Sequence, residues 1–167
     1  MKRIILSLIL TVLAFQCFAQ EQVYKATIFG AKSDGITDNT ATIQKAIDFI
    51  SEKGGGTLVF YVGRYLTGAI QLKPGVTLKL EEAAVLVGST NIYTYKGAPA
   101  LVWADAEGCT VTGKGVIEGR VSALGAFIDA QKAKGYLPAD FKAPELVKGV
   151  TVGEEIKLVK DTVANHK

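Results

Sequence analysis

Side chains able to do acid–base, nucleophilic or metal chemistry are sparse in this chain, and their spacing is unpromising. Among the 16 carboxylates, two pairs are adjacent, Glu81-Glu82 and Glu154-Glu155, and three aspartates, Asp34, Asp38 and Asp48, lie close together in sequence. The three aspartates raise calcium as an option, but Asp38 is better placed to cap a helix and Asp48 lies on that helix's polar face. A catalytic thiol needs a histidine partner, and the only histidine is His166 near the C-terminus, so Cys109 reads as a small buried hydrophobe. Gly54-Gly55-Gly56 runs from a helix into a strand, the reverse of a phosphate loop, and reads as a turn. Gly113-Lys114-Gly115 starts a nucleotide-like G-x-G, but Glu118 stands where the third glycine belongs and no helix starts there. Trp103, Tyr61, Tyr65, Tyr93 and Tyr95 could stack on sugar rings, although burial is the expectation in a β-rich chain. No catalytic, cofactor-binding or metal-ligating residue is assigned, and no cofactor is expected.

What positions these residues begins with an address label. Lys2 and Arg3 precede an apolar run from Ile4 to Phe15, too short for the roughly 20 residues that span a bilayer. Cys17 and Ala19 are small residues suited to a cleavage site before Gln20. Residues 1–19 therefore read as a secretory signal peptide, which directs the chain to the periplasm or outside the cell and leaves it off the membrane. A lipid anchor at Cys17 is the rival, and Phe15 and Gln16 are poor neighbours for that processing.

The whole chain has 167 residues, 19 Lys and Arg against 16 Asp and Glu, and a net charge of +3. Removing residues 1–19 takes Lys2 and Arg3 with it, so the remainder is nearly neutral and no basic surface argues for nucleic acid. Cys17 also leaves, and Cys109 alone makes no internal disulfide. The remaining length suits one domain, residues 20–167.

Asp34-Gly35 marks a turn, and Asp38 or Asn39 can cap the helix that follows. Ile43, Ala46, Ile47 and Ile50 recur at helical spacing, and Gly54 is the stop signal. The period then switches to two. Leu58, Phe60 and Val62 alternate with their neighbours, Tyr65 to Leu72 makes a second strand, and Val76, Leu78 and Leu80 share one face. Val85 and Val87 fall in the opposite parity, which predicts a kink near Ala83-Ala84. Leu101–Ala104, Thr110–Thr112 and Gly115–Glu118 continue the series, and a short helix is expected within Val121–Lys134. Gly75-Val76-Thr77-Leu78 is echoed by Gly108-Cys109-Thr110-Val111. Short repeated strands suggest a β-solenoid whose open end the amphipathic helix covers, with a β-sandwich as the rival on pattern alone.

The segment Phe29 to Asp48 (FGAKSDGITDNTATIQKAID) resembles the opening motif of the pectate-lyase-like superfamily. Gly54–Phe60, Gly63–Gly68, Ile70–Leu72, Val76–Leu80, Val85–Thr90 and Gly113–Gly119 resemble polygalacturonases of glycoside hydrolase family 28, over roughly residues 23–145. The resemblance implies a right-handed, single-stranded parallel β-helix and inverting hydrolysis of α-linked galacturonate in pectin. That reaction needs an acid and a base on opposite faces of one bond. The family's Asn-Thr-Asp, Asp-Asp, Gly-His-Gly and Arg-Ile-Lys motifs do not occur after residue 19. Neighbours on a strand face opposite ways, so Glu81 and Glu82 cannot readily flank one bond. The chain therefore reads as the truncated N-terminal part of such a hydrolase, inactive alone, with a pectic or other acidic polysaccharide as its partner. The alternative is a non-catalytic polysaccharide-binding or structural module. Resemblance fades after about 145, where Val150–Val152 is one weak strand candidate and 154–163 is ambiguous. An unfinished solenoid end would invite self-association.

Overall fold

The computed structural model describes residues 22–161, so the expected signal peptide and His166 lie outside the described residues. Helix α1 (Thr40–Glu52) buries the stripe Ile43, Ala46, Ile47 and Ile50, and its last turn closes at Lys53 before Gly54 turns left-handed at φ 95°. The two capping candidates divide the work. Asp38 Oδ1 accepts the Thr40 N–H at 2.8 Å and also the Thr40 hydroxyl. Asn39 turns its side chain away from the helix: Oδ1 accepts the Lys32 N–H at 2.7 Å, while Nδ2 donates to the carbonyls of Lys32, Thr37 and Leu66 at 2.9, 2.9 and 3.2 Å. Its side chain thus ties the incoming loop to the strand beneath, which is why a polar residue is only 1% exposed there.

The strands are short: β1 (Val23–Lys25), β2 (Gly56–Phe60), β3 (Gly63–Thr67), β4 (Ile70–Gln71), β5 (Val76–Leu80), β6 (Ala84–Gly88), β7 (Ala100–Trp103), β8 (Thr110–Gly113) and β9 (Val116–Glu118). Helix α2 (Val121–Ala133) precedes β10 (Glu145–Lys148), β11 (Thr151–Val152) and β12 (Lys157–Val159). Every named pairing is parallel, in three sheets ordered β1-β2-β5-β8-β11, β3-β6-β9-β12 and β4-β7-β10. From β2 onward the chain visits the three sheets in fixed rotation. Parallel neighbours need long connections, and here each connection is itself made of strands on the other sheets. The arrangement fits a parallel β-helix.

Register explains the sequence echo. Thr77 lies opposite Thr110 and Leu78 opposite Val111, so the two similar tetrapeptides run side by side on β5 and β8. Identical pattern means identical facing. Leu58, Leu78 and Val111 form one inward row, Tyr65, Leu86 and Ile117 another, and Ile70 and Val102 a third, all within the buried core. The corner after β8 shows what the close turns demand. Gly113 has φ 103°, and a Cβ there would lie 2.1 Å from the Leu80 carbonyl oxygen, a place only glycine can take.

Four sequence expectations need correction. Strand β2 stops at Phe60, and Val62 is exposed, because the corner at Gly63 follows directly. Tyr65–Leu72 is two strands on different sheets, split by a corner at Gly68. The expected kink is present as the left-handed turn at Ala83 (φ 63°), but it keeps the parity of the preceding strand, so Ala84 and Leu86 take the inward places while Val85 is only part-buried and Val87 is buried outside that row. Strand pattern also persists beyond residue 145: β10, β11 and β12 pair with β7, β8 and β9. Their signal is weak because each is short and carries exposed charges, at Glu145, Lys148 and Lys157.

Candidate functional site: a groove beside the first helix

The acidic groups flagged by sequence are mostly committed elsewhere. Glu81 pairs with Lys79 at 2.8 Å, Glu155 with Lys114 at 3.7 Å, and Glu82 and Glu154 are exposed. Asp34 organises a turn: Oδ2 accepts the Thr37 hydroxyl at 2.6 Å, and Oδ1 accepts the N–H groups of Thr37 and Ile36 at 2.8 and 2.9 Å. These bonds hold its carboxyl down to about 2, the hydroxyl of Thr37 contributing most. Cys109 is buried and donates toward the Lys73 carbonyl at 3.4 Å. Burial first, and the charge of Asp105 second, push its thiol up, the opposite of an activated nucleophile. Among the described residues, no three His, Cys, Asp or Glu side chains are placed to hold a metal ion.

Asp38 and Asp48 lie elsewhere, along an open groove of about 930 Å³. One wall is the polar face of α1, with Gln44, Lys45 and Asp48. The other is the segment 93–99, carrying Tyr93 and Lys96, and the floor is Gln71 and Trp103. The floor follows from strand alternation: Ile70 and Val102 point into the core, so their neighbours Gln71 and Trp103 stand outward, directly opposite each other across β4 and β7. Lys148 on β10 continues that row beside Trp103.

Gln44 fixes the geometry of this floor. Its Oε1 accepts the Gln71 N–H at 2.8 Å, and its Nε2 donates to the Gln71 carbonyl at 3.1 Å and to Asp48 Oδ1 at 3.0 Å. The opposite wall is equally well held. Asn91 Oδ1 accepts the Tyr93 N–H at 3.0 Å, and the buried Tyr95 hydroxyl donates to the Ser89 carbonyl at 3.1 Å. Burial pushes the Tyr95 phenol up to about 12 against a small opposing effect of Arg120. Tyr93 stays half-exposed, its ring edge-on to Phe127 at 6.1 Å and its hydroxyl donating to Gln131 Oε1 at 3.3 Å. Of the five aromatics weighed for stacking, Tyr65 and Tyr95 are buried, Tyr61 lies exposed away from the groove, and Trp103 and Tyr93 share it.

Gln44, Gln71 and Lys96 carry no motif in the sequence, because they come together only when α1, β4 and the loop after β6 are stacked. The groove suits binding better than bond cleavage. Asp38 is spent on the helix cap, and ten residues at about 1.5 Å of helical rise set it far from Asp48 compared with the roughly 6.5–9.5 Å of an inverting carboxyl pair.

Residues 23–123 match the rhamnogalacturonase A/epimerase, pectate-lyase-like family. The chain belongs to that family. Over 80 residues this pectate-lyase-like chain is 42% identical to the exo-poly-α-D-galacturonosidase of Dickeya chrysanthemi, a stretch covering 48% of the chain and 13% of that enzyme. A crystal structure of a candidate glycosyl hydrolase from Parabacteroides merdae is similar with TM-score 0.77 and 44% identity, over 82% of this chain and 64% of that one. The family 28 exopolygalacturonase of Yersinia enterocolitica shares the fold with TM-score 0.68 at 23% identity, over 84% of this chain and 35% of that one. The chain thus spans a small part of the curated relative and under two-thirds of the solved one. The resemblance to family 28 polygalacturonases read from Phe29 to Gly119 holds.

Proposed function

We propose that this chain builds the first coils of a polygalacturonase-like glycoside hydrolase and supplies scaffold rather than catalytic carboxylates. The observation that carries this reading is the family match across residues 23–123 falling on three stacked parallel sheets. In this reading the coils wind as a right-handed, single-stranded β-helix, and α1 with its preceding loop is the cap. The substrate of the complete enzyme is α-linked galacturonate in pectin, hydrolysed with inversion, and residues 1–19 export the chain to the periplasm or beyond.

The test is reducing-sugar release from polygalacturonate, run with the purified chain and with a chimera carrying residues 23–123 in place of the matched segment of a family 28 exopolygalacturonase. The chain alone should release nothing, while the chimera should fold and turn over. Heat-labile turnover by the chain alone would overturn the inactivity. A folded but inactive chimera would overturn the scaffold role.

A further inference from the structure

We propose that the groove between α1 and the 93–99 segment is a binding site for an uncharged sugar unit. Three observations carry it. The volume, about 930 Å³, lies within the range of roughly 300–1,000 Å³ typical of small-molecule sites. Trp103 offers a half-buried aromatic face on the floor, and Tyr93 a second, half-exposed ring on the wall. An aromatic body with hydrogen-bonding groups around its rim is what a sugar ring, apolar on its faces and hydroxylated at its edge, requires.

The third observation is charge. The groove is lined by two carboxylates, Asp38 and Asp48, and two ammonium groups, Lys45 and Lys96, so it is balanced. Gln44 holds Asp48 Oδ1 toward the floor strand, placing a fixed acceptor for hydroxyls beside Gln71. A uronate carboxylate on the Gln71 side of Trp103 would meet that aspartate, a like charge in a partly desolvated place, whereas Lys148 stands on the opposite side of Trp103. A neutral ring would satisfy the same acceptor with its hydroxyls at no such cost. The site thereby differs in ligand from the anionic polymer assigned to the complete enzyme, and it does not depend on that assignment.

Trp103 is the single tryptophan of the chain, so its emission reports this site alone. The experiment titrates the chain with galactotetraose, cellotetraose and tetragalacturonate, and repeats the series on Asp48→Asn. At least one neutral probe should give a saturable emission change at millimolar concentration, with tetragalacturonate weaker by about tenfold from the added like-charge repulsion. Asp48→Asn, on the polar helix face, should weaken the neutral probe by about fivefold, the loss of one hydrogen bond to a charged acceptor. Because Trp103→Leu removes the signal, that variant is read by calorimetry, and binding should be lost with circular dichroism unchanged. No emission change with either neutral probe up to about 10 mM would overturn the proposal. Equal or tighter binding of tetragalacturonate would overturn its charge argument and give the groove to the acidic polymer. Neither outcome bears on whether a chimera hydrolyses polygalacturonate.

Discussion

Glu118 is the residue whose position most constrains its neighbours. It stands on the outward face of β9 with a side chain only 7% exposed, and Arg64, two strands away on β3, reaches it at 2.9 Å with its own side chain 49% exposed. The pair therefore straps three successive strands from outside the core. Removing the arginine strands a buried carboxylate, whereas Glu118→Gln leaves an amide able to keep a bond. Arg64→Met should cost about 1–2 kcal/mol, discounted for the exposed partner, and Glu118→Gln less. Urea midpoints at unchanged m-value check the order, and a smaller effect of Arg64→Met than of Glu118→Gln would contradict it. Asp34 makes a second prediction, this time in pH. Its folded-state value, about 2, lies below the ordinary carboxylate value. The turn is therefore fully supported above about pH 4 and loses that support as pH falls toward 2. The Ile36 and Thr37 amide resonances should titrate with a midpoint near 2, and Asp34→Asn should abolish the transition.

At the scale of elements, the question is how a parallel sheet ends. β3 and β4 lie at the edges of their sheets, and exposed edges template unwanted pairing. The segment 33–44 covers both. Gly35 donates to the Arg64 carbonyl at 2.8 Å, Asn39 to Leu66 at 2.9 Å, Thr40 Oγ1 accepts from the Gly68 N–H at 2.6 Å, and Gln44 takes both backbone groups of Gln71. A helix cannot pair with a strand through its backbone, so it does so through one amide side chain. Gln44→Leu should speed exchange of the Gln71 amide by about tenfold and lower stability by about 1–2 kcal/mol, for two lost hydrogen bonds. Unchanged exchange at Gln71 would show that Gln44 is not what covers the edge. The sequence displays the apolar stripe of α1 plainly, because helical spacing is local. It says nothing of Gln44, since the partner is 27 residues away and a glutamine on the polar face of a helix looks like any solvated residue.

At the scale of the molecule, the same contrast separates legible from illegible. The matching Gly75–Leu78 and Gly108–Val111 segments betray their pairing because in-register parallel strands repeat their inward residues. The last described strands hide, since β10, β11 and β12 have few apolar positions to count. Those positions carry the final prediction. Val147, Val152 and Leu158 sit in register with the core residues Val102, Val111 and Ile117, so they are inward residues of the last described layer. Leu158 is nonetheless 43% exposed, because among the described residues no further strand stacks upon β12. An apolar layer with open strand edges favours pairing with another copy, and burying one leucine side chain contributes about 1.5–3 kcal/mol. We predict concentration-dependent association of this chain in sedimentation velocity, reversed by Leu158→Lys while the thermal midpoint of the monomer stays put. A monomer at every concentration would mean that this layer is covered from within the chain. Loss of the monomer's thermal midpoint in Leu158→Lys would instead place Leu158 in the working core.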